Sequence, residues 1–157
     1  MNRFVLDASV ALAWVLDNPV PVYALDAQRE ILAGKRGLVP ALWHLEIANG
    51  LAMAERRGDL SGADVENALD QILATAASKL DTEANLISAR DALANARSFQ
   101  LTAYDAVYLD LARREGLPLA TLDKRLRAAA AKAGIALLKR VDENRRLTRL
   151  LHRGPQR

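Results

Sequence analysis

The sequence predicts an α/β domain with a mainly parallel sheet, and three observations carry that prediction. Short apolar strand-like stretches alternate with longer helical segments. No internal repeat and no long linker divides the chain. Its 157 residues suit one domain able to bury a core without staples.

The elements follow in order. Arg3–Leu6 reads as a short buried strand closed by Asp7, and Ala8–Leu16 as a helical stretch stopped by Asn18-Pro19 and Pro21. Val22–Gly34 reads as a helix, Lys35–Gly37 as a basic turn, and Leu38-Val39 as a strand before Pro40. Ala41–Arg57 is a strongly apolar helix closed by Gly58. Ser61–Lys79 is a helix with Ser61 as its cap and Asp64 three residues on. Thr82–Ser98 reads as a further long helix capped by Thr82, followed by the helix Thr102–Glu115, which Gly116 and Pro118 end. Leu119–Leu122 is a strand, Lys124–Lys132 a helix and Ile135–Leu138 a last strand.

Composition narrows the chemistry. With 51% hydrophobic and 26% charged residues, the chain has the profile of a soluble globular protein. No apolar run approaches the roughly 20 residues of a membrane span, and the N-terminus lacks an export pattern, so a cytoplasmic location is expected. The absence of cysteine excludes disulfides, thiolate zinc sites and a cysteine nucleophile. Two histidines, His44 and His152, leave little material for a histidine-based site. Residues 139–157 carry seven Lys/Arg against two Asp/Glu, a net +5, while the rest of the chain sums to −2. A basic tail on an acidic body fits a polyanionic partner such as RNA or DNA, or a tail that only aids solubility.

Four carboxylates stand out. Asp7 and Asp123 each follow a strand, and ligands of open parallel sheets sit outside the strands' carboxyl ends. Each also starts a helix, where aspartate is a favoured cap. Glu46 lies in a helix whose apolar residues predict burial nearly all round, with Asn49 one turn on and pointing the same way. A carboxylate there needs a partner, which is a cation, a buried arginine or a helix N-terminus. Asp105 lies at the edge of a core face made by Tyr104, Val107, Tyr108 and Leu111, and also at the N3 position of a cap begun by Thr102. Asp110 is about 140° round the axis from Asp105 and should not share a site with it. Four converging negative charges repel and raise one another's pKa values. A hard divalent cation with oxygen ligands, Mg²⁺ or Mn²⁺, removes that strain.

The segments Val5-Leu6-Asp7-Ala8-Ser9, Leu45-Glu46-Ile47-Ala48-Asn49-Gly50-Leu51, Tyr104-Asp105-Ala106-Val107-Tyr108-Leu109 and Ala120-Thr121-Leu122-Asp123-Lys124-Arg125-Leu126 resemble the ordered motifs of PIN-domain nucleases, above all the VapC toxins of toxin–antitoxin pairs. The likeness runs from about Asn2 to Leu138. It implies a three-layer α/β/α fold over residues 1–141, with a basic tail over 142–157, and a metal-dependent endoribonuclease. It also implies a homodimer restrained by a cognate VapB-like antitoxin. Asp7, Glu46, Asp105 and Asp123 match the family's acidic metal-binding positions. Ser9 and Thr121 match supporting hydroxyl positions, and Asn49 matches a polar position after the glutamate. Some relatives place another acid just after the last aspartate, where Lys124 and Arg125 stand here. Lys124, Arg125 and Arg127 are candidates to hold an RNA backbone, or form a solvated helix face.

With seven aromatic residues and no aromatic–basic stripe, recognition should lean on RNA shape and phosphates. Two other classes compete. A haloacid-dehalogenase-like phosphatase also places an aspartate after its first strand, but needs a second acid where Ser9 stands. A catalytically inactive RNA- or protein-binding module has no need to gather four repelling charges.

Overall fold

The computed structural model describes residues 2–140. Its elements are β1 (Arg3–Leu6), α1 (Ala8–Leu16), α2 (Val22–Leu32), β2 (Arg36–Pro40), α3 (Leu42–Arg56), α4 (Gly62–Lys79), β3 (Leu80–Glu83), α5 (Ala89–Phe99), α6 (Ala103–Glu115), β4 (Leu119–Ala120) and α7 (Lys124–Lys132). The strands form one sheet in the order β3-β2-β1-β4, with every pairing parallel. Val5 stands opposite Leu38 on one side and Leu119 on the other.

The chain builds outward from β1 to β2 and β3, then returns to lay β4 on β1's other side. The strand order therefore reverses between β1 and β4, and a crevice opens at the carboxyl ends of such a pair. On the helical side, α1 packs on α2 and α3, and α3 on α4. Another group centres on α6, which packs on α5, α7 and the strands β1, β2 and β4. The result is the expected three-layer α/β/α arrangement. Its core draws on residues from Phe4 to Leu138, with Phe4, Leu6, Trp43, Tyr108, Leu119 and Leu126 among its fully buried side chains.

Several boundaries differ from the sequence-based expectation, each for a physical reason. Arg36 and Gly37 belong to β2 and not to a turn, and Pro40 closes that strand. A Cβ on Gly37 would lie 2.5 Å from Leu80 Cδ2, so glycine lets β3 approach closely. Thr82 does not cap a helix. It lies in β3, and α5 begins seven residues later with Ser88 accepting the Asp91 N–H at 3.1 Å. β3 is an edge strand with one apolar residue, Leu80, and polar residues are tolerated at a solvated edge. Arg36 secures it through Nη2 to Asp81 Oδ1 at 2.7 Å and Nε to both carboxylate oxygens at 3.1 Å. Ile135–Leu138 contributes only an isolated bridge from Leu137 to Leu119. α3 is not buried all round either. Trp43, Ile47, Leu51 and Ala54 form its inward stripe, while Leu45 is 74% exposed on the opposite side. Tyr104 is 69% exposed and leaves the α6 core face to Ala106, Tyr108, Leu109, Leu111 and Ala112. Residues 142–157, the expected basic tail, lie outside the described residues.

Candidate functional site

Asp7 sits where β1 ends and α1 begins, only 3% exposed. Although it occupies the cap position, its side chain does not cap α1. Its Oδ2 instead accepts two hydroxyls, from Ser9 at 2.6 Å and from Thr121 at 2.7 Å. Those hydroxyls are held in turn from the β4 side. Ser9 Oγ accepts the Leu122 N–H at 3.1 Å, and Thr121 Oγ1 accepts the Asp123 N–H at 3.0 Å. The carboxyl ends of β1 and β4 are thus joined by a short polar network centred on a buried carboxylate. Burial is the main influence raising the Asp7 pKa. The two hydroxyls oppose it, and the charge of Asp123 adds to it.

Asp123 does act as a cap, with Oδ1 accepting the Leu126 N–H of α7 at 2.8 Å. Asp105 stands in the first turn of α6, where Thr102 Oγ1 accepts its backbone N–H at 3.1 Å. The capping alternatives raised by the sequence therefore hold for Asp123 and for the backbone of Asp105, but not for Asp7. Burial raises the Asp105 pKa, reinforced by the charges of Asp123 and Asp7 and opposed by Thr102 and Arg125.

Glu46 reaches in from α3, partly buried at the edge of its inward stripe. Its Oε1 accepts the Tyr108 hydroxyl at 2.9 Å. Burial lifts its pKa to about 7; the phenol pulls the other way, and Asp7 and Asp105 push it further up. Tyr108 is 0% exposed, and burial beside these carboxylates raises its own pKa. Its partnership with Glu46 was not read from the sequence, which gave it only a core role. The signal existed: a tyrosine on a core face must find a partner for its hydroxyl, and Tyr108 is one turn from Asp105.

Asp123 therefore acts on Asp7 and Asp105, and Asp7 and Asp105 act on Glu46, across the carboxyl ends of β1 and β4. Among the described residues, none of them forms an ion pair within 4 Å. Asp110 stands apart, paired with Arg114 at 2.9 Å and Arg113 at 3.6 Å. Asn49 is exposed on α3 and makes no hydrogen bond to the acids among the described residues. Lys124 and Arg125 are exposed just past Asp123. Arg127 turns inward, and its Nη1 donates to the Thr121 carbonyl at 2.8 Å.

The donor set suits a hard divalent cation: oxygen ligands only, like charges at close quarters and no soft ligand. Among the described residues, no three acidic or histidine side chains are gathered closely enough to hold an ion in this arrangement. The fit is one of chemistry and charge rather than of a closed coordination shell.

The profile of the PIN domain matches residues 4–132. The chain belongs to the PIN-domain family. Within this family it is 35% identical over 122 residues to VapC ribonuclease Mb0985 of Mycobacterium bovis, covering 78% of this chain and 87% of that protein. Ribonuclease VapC9 of Mycobacterium tuberculosis matches to the same extent. The crystal structure of PAE2754 from Pyrobaculum aerophilum has the same fold. Its TM-score is 0.60 at 23% identity, over 96% of both chains. The PIN-domain match spans all four acidic positions, and the chain is of the VapC type.

Proposed function

We propose that this PIN-domain protein is a metal-dependent endoribonuclease, the toxin of a VapBC-type pair. The observation that supports this reading is that Glu46, Asp105 and Asp123 each stand near enough to the buried Asp7 for their charges to couple with its own, with no ion pair to any of the four among the described residues. Its support from relatives is their naming as VapC ribonucleases at 35% identity.

Asp7, Asp105, Asp123 and Glu46 are the residues that would hold Mg²⁺ or Mn²⁺. When bound, such an ion makes water a nucleophile near neutral pH and neutralises charge building on a phosphoryl group. The protein's own residues prepare the place. Ser9 and Thr121 fix the Asp7 carboxylate through Oδ2, limiting its rotation. The α7 cap holds Asp123 still, and Tyr108 holds Glu46 in the crevice. Without a cation the pKa of Glu46 is raised to about 7, so it must give up its proton before it can hold the ion. Asn49, which matches a family position one turn after Glu46, is exposed on α3. Lys124 and Arg125, exposed just past Asp123, would meet the phosphates of a bound RNA. A VapB-like antitoxin and a homodimeric state complete the reading, along with a cytoplasmic location. No described helix is long and apolar enough to cross a membrane.

RNA cleavage tests it. Asp7→Asn and Asp105→Asn each abolish cleavage yet melt no lower than the parent chain, because each removes repulsion and leaves the core intact. Full activity in either variant, or of the parent in excess EDTA, rejects the mechanism. Co-expression with a small protein from the neighbouring reading frame tests the antitoxin, and light scattering tests the dimer.

A further inference from the structure

Arg127 lies one turn into α7, and its position in the sequence allows it to face solvent with Lys124 and Arg125. It does not. Besides its hydrogen bond to the Thr121 carbonyl, its guanidinium carbon stands 4.6 Å from the centre of the Tyr23 ring. Among the described residues, no carboxylate lies within 4 Å of it. The Tyr23 hydroxyl is buried and makes no full hydrogen bond among the described residues, but Arg127 and the Thr121 backbone lie close enough to favour its ionised form, so ring and hydroxyl both face the same corner. A guanidinium placed over an aromatic ring and aimed at one carbonyl is geometrically committed in a way a flexible ammonium is not. The residue it grips carries the network of the site. Thr121 donates to Asp7 and accepts from Asp123.

We propose that Arg127, clamped on Tyr23, is a positioning residue that locks the Thr121–Asp123 segment against β1 and so sets where Asp123 stands relative to Asp7. The inference rests on the ribonuclease reading of the same crevice. It takes Arg127 out of the set of phosphate contacts and gives α2, through Tyr23, a part in the site.

The test uses full-length Arg127→Ala, Arg127→Lys, Tyr23→Leu and Tyr23→Phe, assayed by steady-state RNA cleavage and by amide hydrogen exchange. Arg127→Ala and Tyr23→Leu each lower kcat by about tenfold or more with little change in KM, the mark of misplaced catalytic groups. Arg127→Lys recovers only part of the loss. Tyr23→Phe, which keeps the ring, retains kcat. The double variant Arg127→Ala/Tyr23→Leu loses no more than either single change, since both break one clamp. The amides of Leu122 and Asp123 exchange about tenfold faster in Arg127→Ala, while those of β2 are unaffected.

A raised KM with kcat intact overturns the proposal. So does a shallower salt dependence of RNA binding when Arg127→Ala is placed in an Asp105→Asn background, since either makes the side chain a phosphate contact. Unchanged exchange at Leu122 and Asp123 overturns it as well. That readout needs no catalysis, so a parent chain that fails to cut RNA sinks the ribonuclease reading and not the clamp. If Arg127→Ala does not fold, Arg127→Lys and Tyr23→Leu carry the same comparison.

Discussion

Glu46 is pulled two ways: burial and the nearby Asp7 and Asp105 favour its neutral form, and the Tyr108 phenol favours its ionised form. The first pair wins, lifting its pKa from 4.5 to about 7. A carboxyl raised in this way contributes stability that is full below its unfolded pKa. That contribution is lost as pH rises through the folded value. In metal-free protein, the contribution of Glu46 is therefore full below pH 4.5 and gone above about 7, a change of about 1–2 kcal/mol once solvent screening of this half-buried group is counted. Asp7 and Asp105, also raised, lose theirs in the same direction at rising pH. Glu46→Gln removes its share. Urea denaturation at pH 5 and pH 8 should show the variant gaining on the parent by about 1–2 kcal/mol between the two. Tyr108→Phe leaves the core filled but removes the hydroxyl from Glu46. It should lower cleavage by about tenfold, measured as kcat, at little cost in melting temperature.

Ser88, not Thr82, starts α5, and a single substitution separates the two. Ser88→Ala should cost about 1 kcal/mol in chemical denaturation by orphaning the Asp91 N–H. Thr82 instead hydrogen-bonds the exposed His44 ring at 2.9 Å, so Thr82→Ala should cost less. The error at this element is instructive. An edge strand needs only backbone pairing on one side, so Leu80–Glu83 carries no alternating apolar signal, and its polar residues read as a continuing helix. β1 and β4 could be read because both are apolar and buried, although β4 ends the sheet, and a buried apolar run followed by aspartate stands out. The same reasoning found the four acids. It could not find the bond from Tyr108 to Glu46, which joins residues 62 apart, or the inward turn of Arg127 onto Tyr23. Such pairings are decided by tertiary packing, and periodicity along one helix is silent about them. It also over-buried α3, since an alanine- and leucine-rich helix keeps a water-facing side even where that side holds Leu45.

At the scale of the molecule, the crevice makes stability and ligand binding one problem. A divalent ion that binds only the folded chain stabilises it by about 2.7 kcal/mol at a hundredfold excess over Kd. Thermal melting with and without Mg²⁺ should show this rise in the parent chain and its loss in Asp7→Asn. Raising the pH towards 8 should strengthen the effect, because carboxyls lifted by their surroundings must lose protons before they can bind.

The sheet order β3-β2-β1-β4 also has a temporal side. The bond from Thr121 to Asp7 closes a span of 114 residues, so its donor is made long after its acceptor. A nascent chain can assemble β1, β2, β3 and most of the helices while still missing the strand that seats its first aspartate. At about 5–20 residues per second, the growing polypeptide waits on the order of 10 s with that aspartate braced by Ser9 alone. The fold thereby postpones completion of its crevice until β4 and the turn after it have been made.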